Sequence, residues 1–358
     1  MPNSCHAYYT VRQRLYPFLV EVASKPQIDN ISLLTFGLFA ALHCQLPRIA
    51  AKLPLAGGVA SSTQRLVRLV KNKAIQAPTW YLPVARFLLC CFAGGSVRLI
   101  MDATDLGERL PMLFVAVAYR GRALPLYWRM LPAKGCSPFS EQKALLAVVA
   151  QLVPLCTQVT LLTDREYGSA ALMRLCHKQG WHFCLRAKKN RWFVDKEGQR
   201  RQMQRLPLQP GQRLFFSDIG VPDLPEVTLS LSCGWSTVDK DDEPWYILSD
   251  LPADARILAL YAVRFRIEEM FRDFKEQGFR LETTHLCDAQ RVSRLVLCVC
   301  LAYVWLLNAG VWLSKRGLRK KVDRHTKRQF SYFQIGLRHL QQAFARGEIL
   351  HCAFTAYA

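Results

Sequence analysis

Residues 1–94 show apolar positions at helical spacing. The run over 31–42 is apolar and helical, and a short basic segment follows at 47–53. Residues 61–63, Ser-Ser-Thr, have the composition of an N-cap before a helix over 64–73. The pattern therefore predicts a small helical domain over residues 1–94.

The pattern changes at residue 95 to β-type runs and then alternates between strand and helix spacing. The predicted elements are strands at 96–104, 112–119 and 124–130, a helix at 141–155, a strand at 158–163, a helix at 169–179 and a strand at 181–187. Three strands followed by helix, strand, helix and strand is the order of a mixed sheet of the ribonuclease-H type.

The second half of the chain begins with many turn residues and short strands over 191–254, which predict a β insertion. Helical spacing resumes over 255–314, and a basic helical tail follows at 315–358. The predicted fold class is therefore α/β: a ribonuclease-H-like mixed sheet with flanking helices over 95–190 and 255–314. The β-strand insertion interrupts this sheet, and the helical domain precedes it.

One apolar run, residues 295–313, has no charged side chain and is nearly long enough to span a bilayer. It contains Asn308 and Gly310, and no second run of this kind exists. We expect a buried core helix and no membrane association.

The charge balance indicates a polyanionic partner. The chain of 358 residues has 48 Lys and Arg against 27 Asp and Glu, a net charge of +21. Nucleic acid is the usual partner of such a protein, because each neutralised phosphate releases counterions. In the helix predicted over 64–73, Arg65 and Arg68 share one side, and we expect that face to bind DNA. A solvated charged face explains the same two residues equally well.

The 13 cysteines are scattered without a C-x-x-C pair, and residues 1–9 are polar and unlike a signal peptide. Reduced thiols buried as small hydrophobic groups are the expected state. Cys176, His177, His182 and Cys184 are an alternative zinc site, but neighbouring residues on a helix diverge, which argues against it.

Two aspartates come where apolar strands are predicted to end. Asp102 follows the run 97–101, and Asp164 follows the run 159–163 and opens a turn. Burying an acid there is unfavourable unless a cation compensates it, and neighbouring strand ends commonly build sites. Each aspartate taken alone is equally compatible with a turn or capping role.

A third acid, Glu268, lies in a group of polar residues at helical spacing. Tyr261, Arg264, Glu268 and Lys275 fall within an arc of about 60° on a helix that turns about 100° per residue. A carboxylate beside a tyrosine, an arginine and a lysine is suited to bind both a metal ion and a phosphate backbone. An ordinary i, i+4 ion pair of Arg264 with Glu268 is the alternative.

These four residues resemble the Y-(2)-R-(3)-E-(6)-K signature of a branch of DDE transposases from bacterial insertion sequences, the IS-four type. Asp102 in a D-x-T setting and Asp164 in a D-R-x-[FY]-G setting are similar to that family's first two acids. The resemblance covers roughly residues 30–315. Glu166 departs from it, because relatives often have a small residue there.

The resemblance implies a metal-dependent enzyme of DNA transposition and recombination. Asp102, Asp164 and Glu268 would be the catalytic acids and would hold two Mg²⁺ (or Mn²⁺) ions about 4 Å apart. The implied reaction is cut-and-paste transposition of an insertion sequence by phosphoryl transfer, with a hairpin intermediate as one route.

The resemblance also implies DNA-binding residues. Arg264 and Lys275 would bind phosphates, Tyr261 would contact the backbone, and Trp245 resembles a tryptophan that stacks on a flipped base. Further basic residues leave the last predicted strand and are expected to extend the DNA groove, or else to form a solvated rim: Arg186, Lys188 and Lys189.

The implied partners are double-stranded DNA, both terminal inverted repeats and target, and a second copy of the chain in a synaptic homodimer. The implied location is the bacterial cytoplasm, associated with the nucleoid. Two other functions use the same residues: a transposase-derived DNA-binding protein that no longer cuts, and a related metal-dependent nuclease that cuts without joining. The presence of all three acids argues against the first.

Overall fold

The structure is a computed structural model that describes residues 2–106, 110–135, 137–235, 243–346 and 348. The end of the predicted basic tail and residues 236–242 of the predicted β insertion lie outside the described residues.

The chain begins with helices, as its apolar spacing predicts. They are α1 (Pro2–Leu19), α2 (Lys25–Ala41), α3 (Leu46–Ala50), α4 (Val59–Lys71), α5 (Ala77–Trp80) and α6 (Leu82–Cys90). The N-cap predicted at 61–63 is wrong, because α4 already begins after Gly58. Ser62 is instead buried inside the first turns of the helix, and the Thr63 hydroxyl donates to the Val59 carbonyl.

The central part of the chain forms five strands and two helices. They are β1 (Ser96–Leu106), β2 (Leu110–Tyr119), β3 (Arg122–Met130), α7 (Phe139–Ala150), β4 (Gln158–Thr163), α8 (Ala170–Lys178) and β5 (His182–Arg186). Strands β1, β2 and β3 are antiparallel, whereas β4 pairs parallel to both β1 and β5. Each predicted strand and helix in 95–190 is present. The mixed sheet is compatible with the predicted ribonuclease-H-like fold.

The strands of the predicted insertion extend this sheet. They are β6 (Trp192–Val194), β7 (Arg200–Gln202), β8 (Arg213–Val221), β9 (Leu224–Gly234) and β10 (Trp245–Ser249). The strand order is β3-β2-β1-β4-β5-β10-β9-β8-β6-β7. Because β10 pairs antiparallel with β5, the last strand of the predicted insertion is also a strand of the central sheet.

The last part of the described chain is helical. It contains α9 (Ala255–Ala262), α10 (Arg266–Phe274), α11 (Ala289–Lys315) and α12 (Tyr332–Arg346), with 3₁₀ turns at Val263–Phe265, Leu281–Thr283 and Leu318–Lys321. Helix α11 is long and apolar enough to cross a membrane, but its apolar window is 94% buried inside the protein. The prediction of a core helix over 295–313 is confirmed.

Helix α11 contacts both the N-terminal helices and strand β3 of the sheet. It packs against α2, α4 and α5 on one side and against α12 on another. Gly310 and Gly336 allow the close crossing with α12, because a Cβ at either position would overlap a backbone carbonyl of the other helix. The N-terminal helices therefore share one continuous hydrophobic core with the sheet.

Candidate active site

Asp102 and Asp164 lie side by side because their strands are parallel neighbours. The register pairs Met101 of β1 with Thr163 of β4, and each aspartate is the residue that follows its partner of this pair. Strand β4 ends there, whereas β1 continues beyond the predicted end, since Asp102 still pairs with Phe114 of β2. Both aspartates line a cavity of about 280 Å³.

The Asp102 carboxylate is partly buried, with its side chain 16% exposed. One oxygen accepts from the Ala103 backbone N–H at 2.8 Å, and the other accepts from Arg264 Nη1 at 3.0 Å. Burial raises the pKa of Asp102 to about 7; Arg264 opposes that rise, and the neighbouring charges of Asp164 and Glu268 add to it. The charged form of this carboxylate is therefore disfavoured unless a proton or a cation compensates it.

Arg264 joins the third acid to the first. Its Nη2 lies 2.7 Å from Glu268 Oε1 while Nη1 binds Asp102, and the Arg264 side chain is only 4% exposed. The guanidinium also lies over the Phe265 ring, 4.4 Å from its centroid. Glu268, 45% exposed, is thus brought to the Asp102 side of the site through an arginine rather than by direct contact.

The helix that we predicted through the four signature residues is broken. Residues Val263–Phe265 form a 3₁₀ turn between α9 and α10, and Lys275 lies at the C-cap of α10. Lys275 Nζ binds Glu282 Oε1 at 2.8 Å. The 3₁₀ turn changes the angular spacing of the four residues, and Tyr261, Arg264 and Glu268 remain neighbours.

Trp245 and Tyr261 are core residues in this conformation, in contrast to the predicted DNA contacts. Trp245 is 3% exposed; its ring stacks on Phe265 with centroids 5.7 Å apart and meets Tyr261 edge-on at 4.9 Å. Tyr261 is fully buried, and burial raises the pKa of its hydroxyl. A base would reach the Trp245 ring only if Phe265 moved.

A second cavity, of about 390 Å³, adjoins the turn after Asp164 and contains the predicted groove residues. Arg186 is buried at the end of β5, whereas Lys188 and Lys189 are exposed beyond it. Both lysines pair with glutamates: Lys188 Nζ lies 3.7 Å from Glu166, and Lys189 Nζ lies 2.5 Å from Glu243. The sequence patterns did not single out Glu243, whose partners come from distant segments.

Gly168, in the turn after Asp164, has a packing role that the sequence motif alone does not explain. A Cβ on Gly168 would lie 2.5 Å from the Arg186 carbonyl oxygen. The Gly168 carbonyl in turn accepts from Arg191 Nη1 at 2.5 Å. The glycine thus lets the turn after Asp164 lie directly against the end of β5.

Arg65 and Arg68 belong to α4, which is distant in sequence from the three acids. Both side chains are on the exposed face of this helix. Leu66, Leu69 and Val70 occupy the buried face, as predicted. Arg65 Nε donates to Asn30 at 2.6 Å.

The alternative zinc site is not formed. Cys176 and Cys184 are buried thiols, and burial raises the pKa of each to about 12. His182 binds Asp250 at 2.7 Å instead. Across the described part of the chain, no three His, Cys, Asp or Glu side chains form a group ready to hold a metal ion.

A divalent cation nevertheless fits the chemistry of the first two acids. Carboxylate oxygens are the ligands that Mg²⁺ and Mn²⁺ prefer, and Asp102 is partly buried beside Asp164. Glu268 now binds Arg264, whose single positive charge is shared between the Asp102 and Glu268 carboxylates.

A mixed α/β sheet with acids side by side on neighbouring parallel strands is a framework suited to phosphodiester chemistry. Residues 140–305 match the family model of the transposase DDE domain. The matched range is just under half of the chain and contains Asp164 and Glu268, whereas Asp102 precedes it. The match supports a DDE transposase, which acts in DNA transposition and recombination. A search of curated proteins finds no match.

Proposed function

We propose that this protein is a DNA transposase of the IS-four type that moves an insertion sequence by cut-and-paste transposition. Asp102, Asp164 and Glu268 are its catalytic acids. The observation that supports this most strongly is the pairing of Asp102 with Asp164 on parallel strands, with Glu268 joined to Asp102 through Arg264. The transposase-domain match is independent support.

The three acids would hold two Mg²⁺ or Mn²⁺ ions, which when bound activate the attacking oxygen and stabilise the leaving oxygen of phosphoryl transfer. Arg264 partly offsets the charges of Asp102 and Glu268 before DNA and metal arrive. On release it supplies a guanidinium that suits a phosphate oxygen of the DNA. The Ala103 N–H orients Asp102 throughout.

The DNA contacts of the proposal use the basic residues around the site. Arg186, Lys188 and Lys189 extend the groove from the turn after Asp164, and Lys275 binds a phosphate when it leaves Glu282. Double-stranded DNA with the element's terminal inverted repeats, and later target DNA, would be the substrates. The chain would act as a homodimer in the bacterial cytoplasm, since the two ends of the mobile element must be held together.

The test is cleavage of a plasmid that carries the gene with its flanking DNA. Asp102→Asn is expected to abolish Mg²⁺-dependent strand cleavage and to leave DNA binding nearly unchanged. Asp218→Asn makes the same chemical change at an exposed position on β8 and should cleave normally. Robust cutting by Asp102→Asn would show that Asp102 is not a catalytic acid. Cutting without insertion into added target DNA would favour a nuclease.

A hairpin intermediate that is stabilised by stacking on Trp245 requires this side chain to leave its packing against Phe265. A folded Trp245→Ala variant is then expected to make the first nick and to stall at the hairpin stage, since base stacking is worth about 1–3 kcal/mol. A normal hairpin yield would show that Trp245 serves the core alone.

A further inference from the structure

A third cavity lies away from the three acids, between the end of α4 and the start of α11. Its volume is about 610 Å³. Four cationic side chains line it together with Gln76 and one carboxylate, Asp288: Lys71, Lys73, Arg291 and Arg294. We name it the α4–α11 cavity.

The cavity has a strong excess of positive charge. Asp288 caps α11 by accepting from the Arg291 backbone N–H at 2.8 Å, and its carboxylate lies 4.0 Å from Arg291 Nε. Lys71 and Lys73 are exposed, and neither forms an ion pair in the described part of the chain. One carboxylate therefore faces four cations, which suits an anionic ligand.

Arg294 makes this arrangement rigid. Its side chain is 8% exposed, and it donates from Nε to the Ile75 carbonyl and from Nη1 to the Val70 carbonyl, both at 3.0 Å. These bonds hold the segment with Lys71 and Lys73 against α11. The backbone on either side of the two lysines is thus held next to the start of α11.

The charge continues along α4. Arg65, Arg68 and Lys71 follow one another at spacings of three residues and are all exposed, so they form a stripe that leads to the cavity. At 1.5 Å per residue the stripe is about 9 Å long. Phosphates follow one another about every 3.4 Å of axis on each strand of a duplex, so the stripe spans more than one of them.

We propose that the α4–α11 cavity and the stripe on α4 bind successive backbone phosphates of double-stranded DNA, independently of sequence. This inference rests on the proposed function, since it assigns a second DNA contact to the same protein. A polyanion with regularly repeated charges fits the stripe and the cavity together, whereas a free phosphate would occupy only the cavity. The role of the site is to position the duplex, and it has no part in the chemistry.

The test measures the binding of a short fluorescein-labelled duplex of mixed sequence over a series of NaCl concentrations. The double variant Lys73→Gln/Arg291→Gln is expected to bind about fivefold to tenfold more weakly at low salt for each phosphate contact that it removes. The slope of log K against log salt should fall by about 1 for each such contact. The variant retains Arg294, so the contact between α4 and α11 stays intact, and equal thermal unfolding checks this.

The matched control is Arg86→Gln/Lys143→Gln, which removes the same charge from two exposed positions on α6 and α7. Its affinity and salt slope are expected to equal those of the wild type. Equal slopes for the cavity variant and the control would overturn the inference. So would a cavity variant that loses binding to poly-glutamate or to inorganic phosphate while its DNA binding is unchanged.

The outcomes also separate this inference from the proposed function. A wild type that binds the duplex but never cleaves DNA would refute the transposase proposal, and the salt slopes would still decide the inference. A wild type that binds no DNA would refute both.

Discussion

At the scale of single residues, Arg264 decides the electrostatics of the candidate site. A partly buried Asp102 needs a compensating cation, and the guanidinium supplies it while also binding Glu268. The guanidinium offsets only part of the negative charge of the three acids, and Glu268 remains 45% exposed. Removal of one partner of a buried pair is costly, because it leaves the other charge buried without compensation.

Arg264→Gln is therefore expected to lower the free energy of unfolding by about 3 kcal/mol. Arg256→Gln is the control, since Arg256 pairs with Asp254 at the surface, where solvent screens such pairs and their loss should change stability little. Urea denaturation measures both. Equal small losses would show that Arg264 is dispensable for the fold.

Gly168 gives a second prediction at this scale. Gly168→Ala places a Cβ 2.5 Å from the Arg186 carbonyl, so the turn after Asp164 must shift, at a cost of about 1–3 kcal/mol. Gly220→Ala meets nothing within 4 Å and should be nearly neutral. Thermal unfolding compares the two. A neutral Gly168→Ala would mean that the turn adapts freely.

At the scale of elements, α10 is held against β3 by a buried hydrogen bond between an arginine and an aspartate. Asp273 is fully buried and accepts from Arg122 Nε at 2.7 Å, while Arg122 Nη1 lies 3.1 Å from Glu269. Burial raises the pKa of Asp273 from 3.8 to about 7, although Arg122 opposes the rise. Because α10 bears Glu268, this contact also sets where the third acid lies.

The raised pKa makes this contact sensitive to pH. The folded chain keeps the Asp273 proton between about pH 4 and pH 7, where the unfolded chain has lost it, so stability falls as the pH rises through that window. Asp273→Asn removes this dependence. Relative to the wild type, its free energy of unfolding should increase by up to about 1.4 kcal/mol per pH unit between pH 5 and pH 7. Parallel curves for the two proteins in urea titrations would contradict the shift.

At the scale of the whole molecule, the N-terminal helices and the sheet form one hydrophobic core. Phe39 of α2 meets Trp305 of α11 with ring centroids 5.9 Å apart, and Tyr81 meets Trp128 of β3 at 5.6 Å. Arg294 adds hydrogen bonds across the same boundary. The predicted helical domain over 1–94 is thus closely integrated with the rest of the structure.

Deletion of residues 1–94 is expected to expose the apolar face of α11 that contacts α2, α4 and α5. Large exposed apolar patches promote aggregation. The fragment should be insoluble or should bind a hydrophobic dye strongly, which centrifugation and dye fluorescence measure. A soluble fragment with a cooperative unfolding transition would instead support an independent domain.

The sequence by itself determined the strands and helices of the central sheet and the place of Asp164 at the end of β4, whereas β1 continues past Asp102. A short apolar run located β4 at Gln158–Thr163, and Asp164 follows directly at its end. The charge-free run within α11 likewise indicated a core helix. These features are readable because strand and helix periodicities depend on near neighbours in the chain.

Only the tertiary structure decided how distant segments meet. The 3₁₀ turn at Val263–Phe265 breaks the predicted helix, and Trp245 is enclosed by Tyr261 and Phe265. The pairing of β10 with β5 and the contact of α4 with α11 likewise join residues far apart in the chain. Such contacts are set by the packing and strand pairing of the whole fold, and single-chain periodicity contains no information about them.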